Sequence, residues 1–299
     1  MKRHILVTGG QGQVGLELAR QVWPDDVVTH FPTRDTLDLA SQASISTYLQ
    51  SFDFAAIINC AAYTAVDKAE TERGAAFLVN GEAPGWLADS GVPLVHVSTD
   101  YVFDGTKQGY YTENDPVAPL GVYGESKREG ERAVLAGQSR SIILRTAWVL
   151  SAHRGNFLKT MLRVAAANPT LRVVDDQRGC PTGAADIATV LRLLALRLID
   201  DRAAPLGIYH FVNAGEASWC DLAREIFRLS AAAGGPQAEV EAITTAEYPT
   251  PARRPSNSRL STTRITADFG IDPRDWRDAV REIIEELVGP VGDLGGAAQ

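Results

Sequence analysis

The sequence has few cysteines, no long apolar run and no excess of positive charge. Its three cysteines, Cys60, Cys180 and Cys220, stand at no metal-ligand spacing and form no even set, which favours buried thiols in a reducing compartment. No stretch reaches the length of a membrane span, and the first residues lack the apolar core of a signal peptide. We therefore expect a cytoplasmic protein that does not bind a membrane.

The charge balance excludes a second class of partner. The formal net charge is −8, whereas binding to nucleic acid requires clustered lysine and arginine that replace counterions on phosphates. The 299 residues are 45% hydrophobic and 22% charged, which is typical of a globular protein with a sizeable core. We expect one large domain and one smaller one, and no nucleic-acid partner.

Short apolar runs alternate with helical patterns over the first half of the chain. Examples are "HILVTG", "AAIINCAA", "PLVHVSTD" and "SIILRTAWVL", and continuous β-branched runs separated by helices are typical of parallel strands buried on both faces. The pattern predicts an α/β fold, a doubly wound, Rossmann-like parallel sheet with a smaller α/β C-terminal lobe. We assign residues 1–150 to the sheet domain, 151–290 to the lobe, 183–205 to a segment packing back on the sheet, and 291–299 to a flexible tail.

A glycine loop follows the first predicted strand. In "TGGQGQVG" the residues Gly9, Gly12 and Gly15 recur every third position before an amphipathic helix. Such glycines permit a tight turn, close approach of a pyrophosphate and close packing of helix on strand. Glycine patterns alone are weak signals, but the place of this one between strand and helix predicts a dinucleotide site.

The loop after the second strand bears on the choice of cofactor. Asp35 lies about twenty residues beyond Gly15, where dinucleotide-binding folds of this kind carry an acidic residue, and Arg34 precedes it. An arginine here can pair with a 2′-phosphate, which favours NADPH, with NADH also accepted. The alternative is a solvated loop without a role in cofactor choice.

The stretch "YGESK" places Tyr123 and Lys127 four residues apart, on one face of a helix. Thr99 ends the strand "PLVHVS", and parallel strands bind ligands at their carboxyl ends. A hydride arriving at a ketone creates an alkoxide that must be protonated. Tyr123 can supply that proton, and we expect the nearby ammonium of Lys127 to lower the pKa of the phenol toward the operating pH. In isolation the pair would be ordinary helical surface; beside the glycine loop and Thr99 it predicts a catalytic site.

These features resemble the extended short-chain dehydrogenase/reductase family. Its members share the glycine spacing, an Asn-Ala-Ala type strand end (here Asn59 to Ala62) and the Tyr-x-x-x-Lys pair. The segments "AAYTAVDKAE", "STDYVFDGT", "PLGVYGESK", "DQRGCPTG" and "YPTPARRPSNSRL" most resemble the members that act on dTDP-sugars. The resemblance implies reduction of the 4-keto group of dTDP-4-dehydro-L-rhamnose, the last step in making dTDP-L-rhamnose.

The same resemblance implies roles for particular residues. The catalytic set is Thr99, Tyr123 and Lys127. The cofactor is expected to contact Gly9, Gly12, Gln13, Val14, Gly15, Arg34, Asp38, Leu39, Ala61, Ala62, Tyr63, Tyr123 and Lys127. The dTDP-sugar is expected to contact Val66, Thr99, Asp100, Trp148, Asn156 and Arg254.

One departure from the family concerns magnesium. Relatives with magnesium-bridged dimers use a glutamate that matches Glu17 and a second one that matches Ala185, whereas here the acidic residue is Asp186. A shift of one residue turns a helical side chain by roughly 100°, so Asp186 does not replace the missing ligand. We expect Glu17 on the surface, no metal site, and a monomer or homodimer.

Other functions stay open on the residues alone. A dehydratase or epimerase of the same superfamily shares the triad, and Asp100 after Thr99 suits elimination chemistry. Another nucleotide-deoxysugar 4-ketoreductase differs only in its pocket. A regulatory nucleotide-binding subunit that lost the chemistry is the alternative from another class, and the intact triad argues against it.

Overall fold

The computed structural model describes residues 2–292, in which strands and helices alternate. The strands are β1 (Arg3–Thr8), β2 (Val27–His30), β3 (Phe54–Asn59), β4 (Leu94–Thr99), β5 (Ser141–Thr146), β6 (Val149–Leu150), β7 (Thr170–Val174), β8 (Arg178–Gly179), β9 (Thr182–Gly183), β10 (Gly207–His210), β11 (Ala217–Ser218), β12 (Glu239–Ile243) and β13 (Asn257–Ser258). The helices are α1 (Gln13–Arg20), α2 (Gln42–Leu49), α3 (Val66–Ala69), α4 (Arg73–Phe77), α5 (Ala83–Ala88), α6 (Val122–Ala136), α7 (Phe157–Ala165), α8 (Ala184–Asp200), α9 (Trp219–Ala232), α10 (Thr263–Phe269) and α11 (Trp276–Leu287). From residue 293 onward, the tail predicted for 291–299 lies outside the described residues.

Six parallel strands form the central sheet in the order β10-β5-β4-β3-β1-β2. Alternate residues of each strand face opposite sides, and both sides are covered by helices. On one side Ile5 and Val7 pack against α1 and α8; on the other, Leu6 packs against α2, α5 and α6. The predicted α/β fold with a doubly wound parallel sheet is confirmed.

A second apolar core lies outside this sheet. Leu158 of α7, Ile226 of α9 and Ile284 of α11 meet there, next to the two-stranded parallel sheet of β7 and β12. The chain also returns to the central sheet after residue 150, since α8 packs on α1 and β10 pairs with β5. Segments on both sides of residue 150 therefore build the central sheet. The domain boundary that we placed at this residue stays a prediction.

The carboxyl ends of four neighbouring strands gather the loops that the site requires. The glycine loop follows β1, Ala61 to Tyr63 follow β3, Thr99 ends β4, and Trp148 follows β5. The strand order reverses between β1 and β3, where a doubly wound sheet opens a crevice. Within residues 2–292, every helix is too short or too polar to cross a bilayer.

Candidate active site

A cleft of about 730 Å³ opens at these strand ends and contains most of the predicted site. It is lined by the predicted residues Gly9, Gly12, Gln13, Val14, Gly15, Arg34, Asp38, Leu39, Ala61, Ala62, Tyr63, Val66, Thr99, Asp100, Tyr123, Lys127 and Trp148. Asn156 and Arg254 lie outside this lining. The fold thus brings the glycine loop, the Tyr-Lys pair and the end of β4 to one place, although their individual roles stay predictions.

The glycine loop has the shape that a diphosphate requires. Gly9 has a φ of 71°, and a Cβ there would lie 2.6 Å from the amide nitrogen of Ala61. A Cβ on Gly15 would overlap the carbonyl oxygen of Gly9. Gly12 precedes α1, so the first N–H groups of that helix point toward the cleft and form an anion site. These residues fit a dinucleotide cofactor.

Arg34 lies at the far end of the cleft, in the loop after β2. Its side chain is 80% exposed, and its Nε lies 3.5 Å from Asp38 Oδ1. The guanidinium can turn from the carboxylate of Asp38 to a phosphate at a small cost in free energy, because an ion pair at the surface contributes little to stability. The arginine therefore fits a cofactor that carries a 2′-phosphate.

Thr99 and Asp100 lie at the end of β4. Thr99 Oγ1 donates to Asp100 Oδ1 at 3.1 Å and accepts from the amide of Tyr101 at 3.2 Å. Asp100 is buried, and its Oδ2 has no hydrogen-bond partner among residues 2–292. Burial raises the pKa of Asp100 to about 6. The carboxyl group can therefore accept a hydrogen bond from a sugar hydroxyl.

Close packing of α6 positions Tyr123 beside this strand end. A Cβ on Gly124 would overlap the carbonyl of Tyr101, and a Cβ on Gly130 would overlap that of Asn80. Glycine at position 124 therefore lets α6 approach the end of β4 closely, and glycine at position 130 lets it approach the helical segment Leu78–Glu82. The ring of Tyr123, in the first turn, contacts that of Tyr101 edge to face at 5.4 Å.

The phenol of Tyr123 is fully protonated near neutral pH. Burial raises the pKa of Tyr123 to about 12, and the charge of Asp100 acts in the same direction, against a smaller opposing effect of Thr99. The expectation that Lys127 lowers this pKa is wrong for the protein as described. Burial is the dominant effect, and the Lys127 amine is directed elsewhere.

Lys127 lies one turn along α6 and is only 2% exposed. Its Nζ donates to the carbonyl of Val97 at 2.7 Å and lies 3.5 Å from His96 Nε2. Burial lowers the pKa of Lys127 to about 8. The amine is therefore held at the floor of the cleft, where it can reach a cofactor ribose.

Sequence reasoning missed the ion pair behind the triad. Arg145 of β5 and Glu131 of α6 form a doubly hydrogen-bonded pair, at 2.6 and 2.8 Å, with both side chains at most 4% exposed. Ser98, next to Thr99, donates to Glu131 at 2.6 Å. The pair joins β4, β5 and α6, the elements that carry the site. An arginine inside the apolar run "SIILRTAWVL" was the available signal, because a buried charge requires a partner.

Asn156 and Arg254 are engaged with other residues. Asn156 caps α7 by accepting from the amide of Lys159 at 3.1 Å, and its Nδ2 donates to Gln13 Oε1 at 2.9 Å. Arg254 pairs with Asp67 at 3.1 Å, one residue beyond Val66. Both therefore lie next to cleft residues, and their contact with substrate stays a prediction.

The prediction that Glu17 is a surface residue is wrong. Glu17 is 8% exposed because α8 and the loop at His153 cover its helix, and its carboxylate lies 3.4 Å from His153 and 3.8 Å from Arg20. Burial raises the pKa of Glu17.

The carboxylate of Asp186 accepts hydrogen bonds from the side chains of Asn213 and Arg274. Over the described part of the chain, no three His, Cys, Asp or Glu side chains are grouped so that they could hold a metal.

Comparisons with known proteins agree with this geometry. A family model described as the RmlD substrate binding domain matches residues 2–288. The dTDP-4-dehydrorhamnose reductase of Sinorhizobium fredii is 43% identical, over 95% of this chain and 97% of the relative. A dTDP-4-dehydrorhamnose reductase structure from Clostridium acetobutylicum is 36% identical with a TM-score of 0.88, covering 95% of this chain and 99% of that one. Another from Bacillus anthracis, in complex with NADP, is 31% identical with a TM-score of 0.88, covering 96% and 100%.

Proposed function

We propose, because this chain belongs to the RmlD substrate-binding-domain family, that it is a dTDP-4-dehydrorhamnose reductase. It is an NADPH-dependent oxidoreductase that reduces the 4-keto group of dTDP-4-dehydro-L-rhamnose to give dTDP-L-rhamnose, the last step of dTDP-rhamnose synthesis. The observation that carries this function is the meeting of Thr99, Tyr123 and Lys127 in one cleft with the glycine loop.

The cofactor is held by the residues that shape the cleft at the glycine loop. Gly9, Gly12 and Gly15 leave room for a diphosphate, and Arg34 pairs with a 2′-phosphate. Lys127 reaches the ribose from the floor of the cleft. When bound, the nicotinamide supplies the hydride for the reduction of a carbonyl.

The chain itself supplies the proton and the orientation of the ketone. Thr99 Oγ1 donates a hydrogen bond to the 4-keto oxygen in place of its present bond to Asp100. Tyr123 gives its phenolic proton to that oxygen as negative charge develops on it. The phenolate that remains regains its proton from solvent. Asp100 accepts from a sugar hydroxyl and so fixes the ring.

The proposed function is tested by turnover with the predicted ketone. dTDP-4-dehydro-L-rhamnose is generated enzymatically in the assay, because the ketone is labile, and NADPH oxidation is followed while NMR identifies the product. We expect formation of dTDP-L-rhamnose. Binding of NADPH without consumption of this ketone would contradict the assignment, and faster consumption of a different dTDP-4-keto-deoxysugar would assign the chain to a related 4-ketoreductase.

Arg34 tests the preference for NADPH separately. We expect Arg34→Ala to raise the KM for NADPH about tenfold, the lower end for a lost charged hydrogen bond because the side chain is exposed to screening. The KM for NADH should not change. Arg197→Ala removes an exposed arginine from α8 and serves as the matched control. Equal effects on the two cofactors would show that Arg34 does not recognise the 2′-phosphate.

A further inference from the structure

Trp148 stands in the cleft in a backbone conformation that is costly for a large side chain. Its φ is 47°, in the left-handed region, where a bulky residue persists only if its surroundings hold it. It lines the cleft together with Thr99 and Tyr123, at the end where the ketone is reduced. The strain shows that the position of this indole is fixed by neighbouring residues rather than by its own backbone preference.

The indole of Trp148 is fixed by a second tryptophan from the other core. Trp219, the first residue of α9, stacks on it with ring centroids 3.5 Å apart and planes inclined by 8°. Gly179 also lies against the ring, since a Cβ there would come within 2.6 Å of Trp148 Nε1. No residue with a side chain would fit at position 179 while Trp148 keeps this place.

Trp219 is itself held on three sides. Its Nε1 donates to Gln177 Oε1 at 3.1 Å, and Phe157 packs against its ring at a centroid distance of 4.6 Å. Ser218 caps α9 and forms a capping box with Asp221, which fixes the helix end from which Trp219 projects. The stack thus connects a rigid helix of the second core to the wall of the cleft.

We propose that Trp219 is a positioning residue for the sugar, which acts by holding the indole of Trp148 at the wall of the cleft. This inference rests on the proposed function and assigns the wall to the sugar part of the dTDP-sugar. An indole offers an apolar surface to the ring C–H and methyl groups of a 6-deoxyhexose. Trp219 does not line the cleft, so its effect on the sugar passes through Trp148 alone.

The test compares Trp219→Leu with Trp219→Phe. Leucine keeps an apolar side chain but removes the stack, whereas phenylalanine keeps an aromatic ring. We measure the Kd of dTDP-L-rhamnose, a stable probe that needs no turnover, and the Kd values of dTDP and NADPH. We expect Trp219→Leu to raise the Kd of dTDP-L-rhamnose about tenfold, the size of effect that loss of an aromatic pair produces. Trp219→Phe should keep most of the wild-type affinity. Affinities for dTDP and NADPH should be unchanged.

Circular dichroism reports the stack independently, because two stacked indoles couple and give a paired positive and negative band. This band should disappear in Trp219→Leu and remain in Trp86→Leu, which removes an indole from α5 on another core. Loss of the band with an unchanged Kd for dTDP-L-rhamnose would overturn the proposal. An equal rise in the Kd values of dTDP and dTDP-L-rhamnose would overturn it as well. Failure of the wild-type protein to bind dTDP-L-rhamnose would instead count against the proposed function.

Discussion

Replacement of Tyr123 by phenylalanine is expected to lower kcat about a thousandfold while the Kd of NADPH stays the same. The loss is that of a general acid, since the ring keeps its packing against Tyr101 and only the proton donor disappears. Because burial raises the pKa of this phenol to about 12, the donor is fully protonated at any pH near neutrality. Single-turnover measurements with saturating NADPH separate this chemical step from binding.

Tyr48→Phe is the matched control for the lost hydroxyl. Tyr48 lies on α2, packed against the core on one side of the sheet and away from the cleft. Its variant should turn over at the wild-type rate. Undiminished turnover by Tyr123→Phe would exclude Tyr123 as the acid.

Glu131→Gln is expected to lower the free energy of unfolding by about 3–5 kcal/mol, because it leaves the charge of Arg145 buried without a counterion. Arg145 is 2% exposed, and its Nη1 already lacks a hydrogen-bond partner among residues 2–292. Water therefore does not compensate for the missing carboxylate. Urea denaturation followed by far-UV circular dichroism measures the change.

A neighbouring ion pair on the same helix supplies the control. Glu129 and Arg132 pair at 3.3 Å with side chains 48% and 70% exposed, so Glu129→Gln should cost at most about 1 kcal/mol. The double variant Glu131→Leu with Arg145→Leu should be more stable than Glu131→Gln, because it removes both charges together. If Glu131→Gln were no less stable than Glu129→Gln, burial of the pair would not be the source of its energy.

The sequence predicted the sheet and most of the cleft because the relevant signals are local. The runs of β1, β3, β4 and β5 show their burial in a few consecutive residues, and the spacing of Tyr123 and Lys127 lies within one helical turn. Parallel strands end at one edge, so Thr99 was expected near both. Each of these inferences requires only short-range geometry and one rule of topology.

The errors and omissions concern pairs that are distant in sequence. The burial of Glu17 depends on His153, the partner of Arg254 is Asp67, and the ring that supports Trp148 belongs to Trp219. The hydrophobic periodicity of the sequence does not indicate contacts between residues so far apart. The pKa of Tyr123 was misjudged for a related reason, since the desolvation of a side chain depends on everything packed around it.

The position of β10 at the edge of the central sheet has a consequence for synthesis on the ribosome. The strand that covers β5 lies about 60 residues further along the chain, which takes roughly 3–12 s to translate. During that interval one side of β5 has no neighbour, and an unpaired edge is a template for aggregation. Nascent chains that stall between these two strands therefore present an unpaired edge of β5, and a fragment ending near residue 150 would keep that edge exposed permanently.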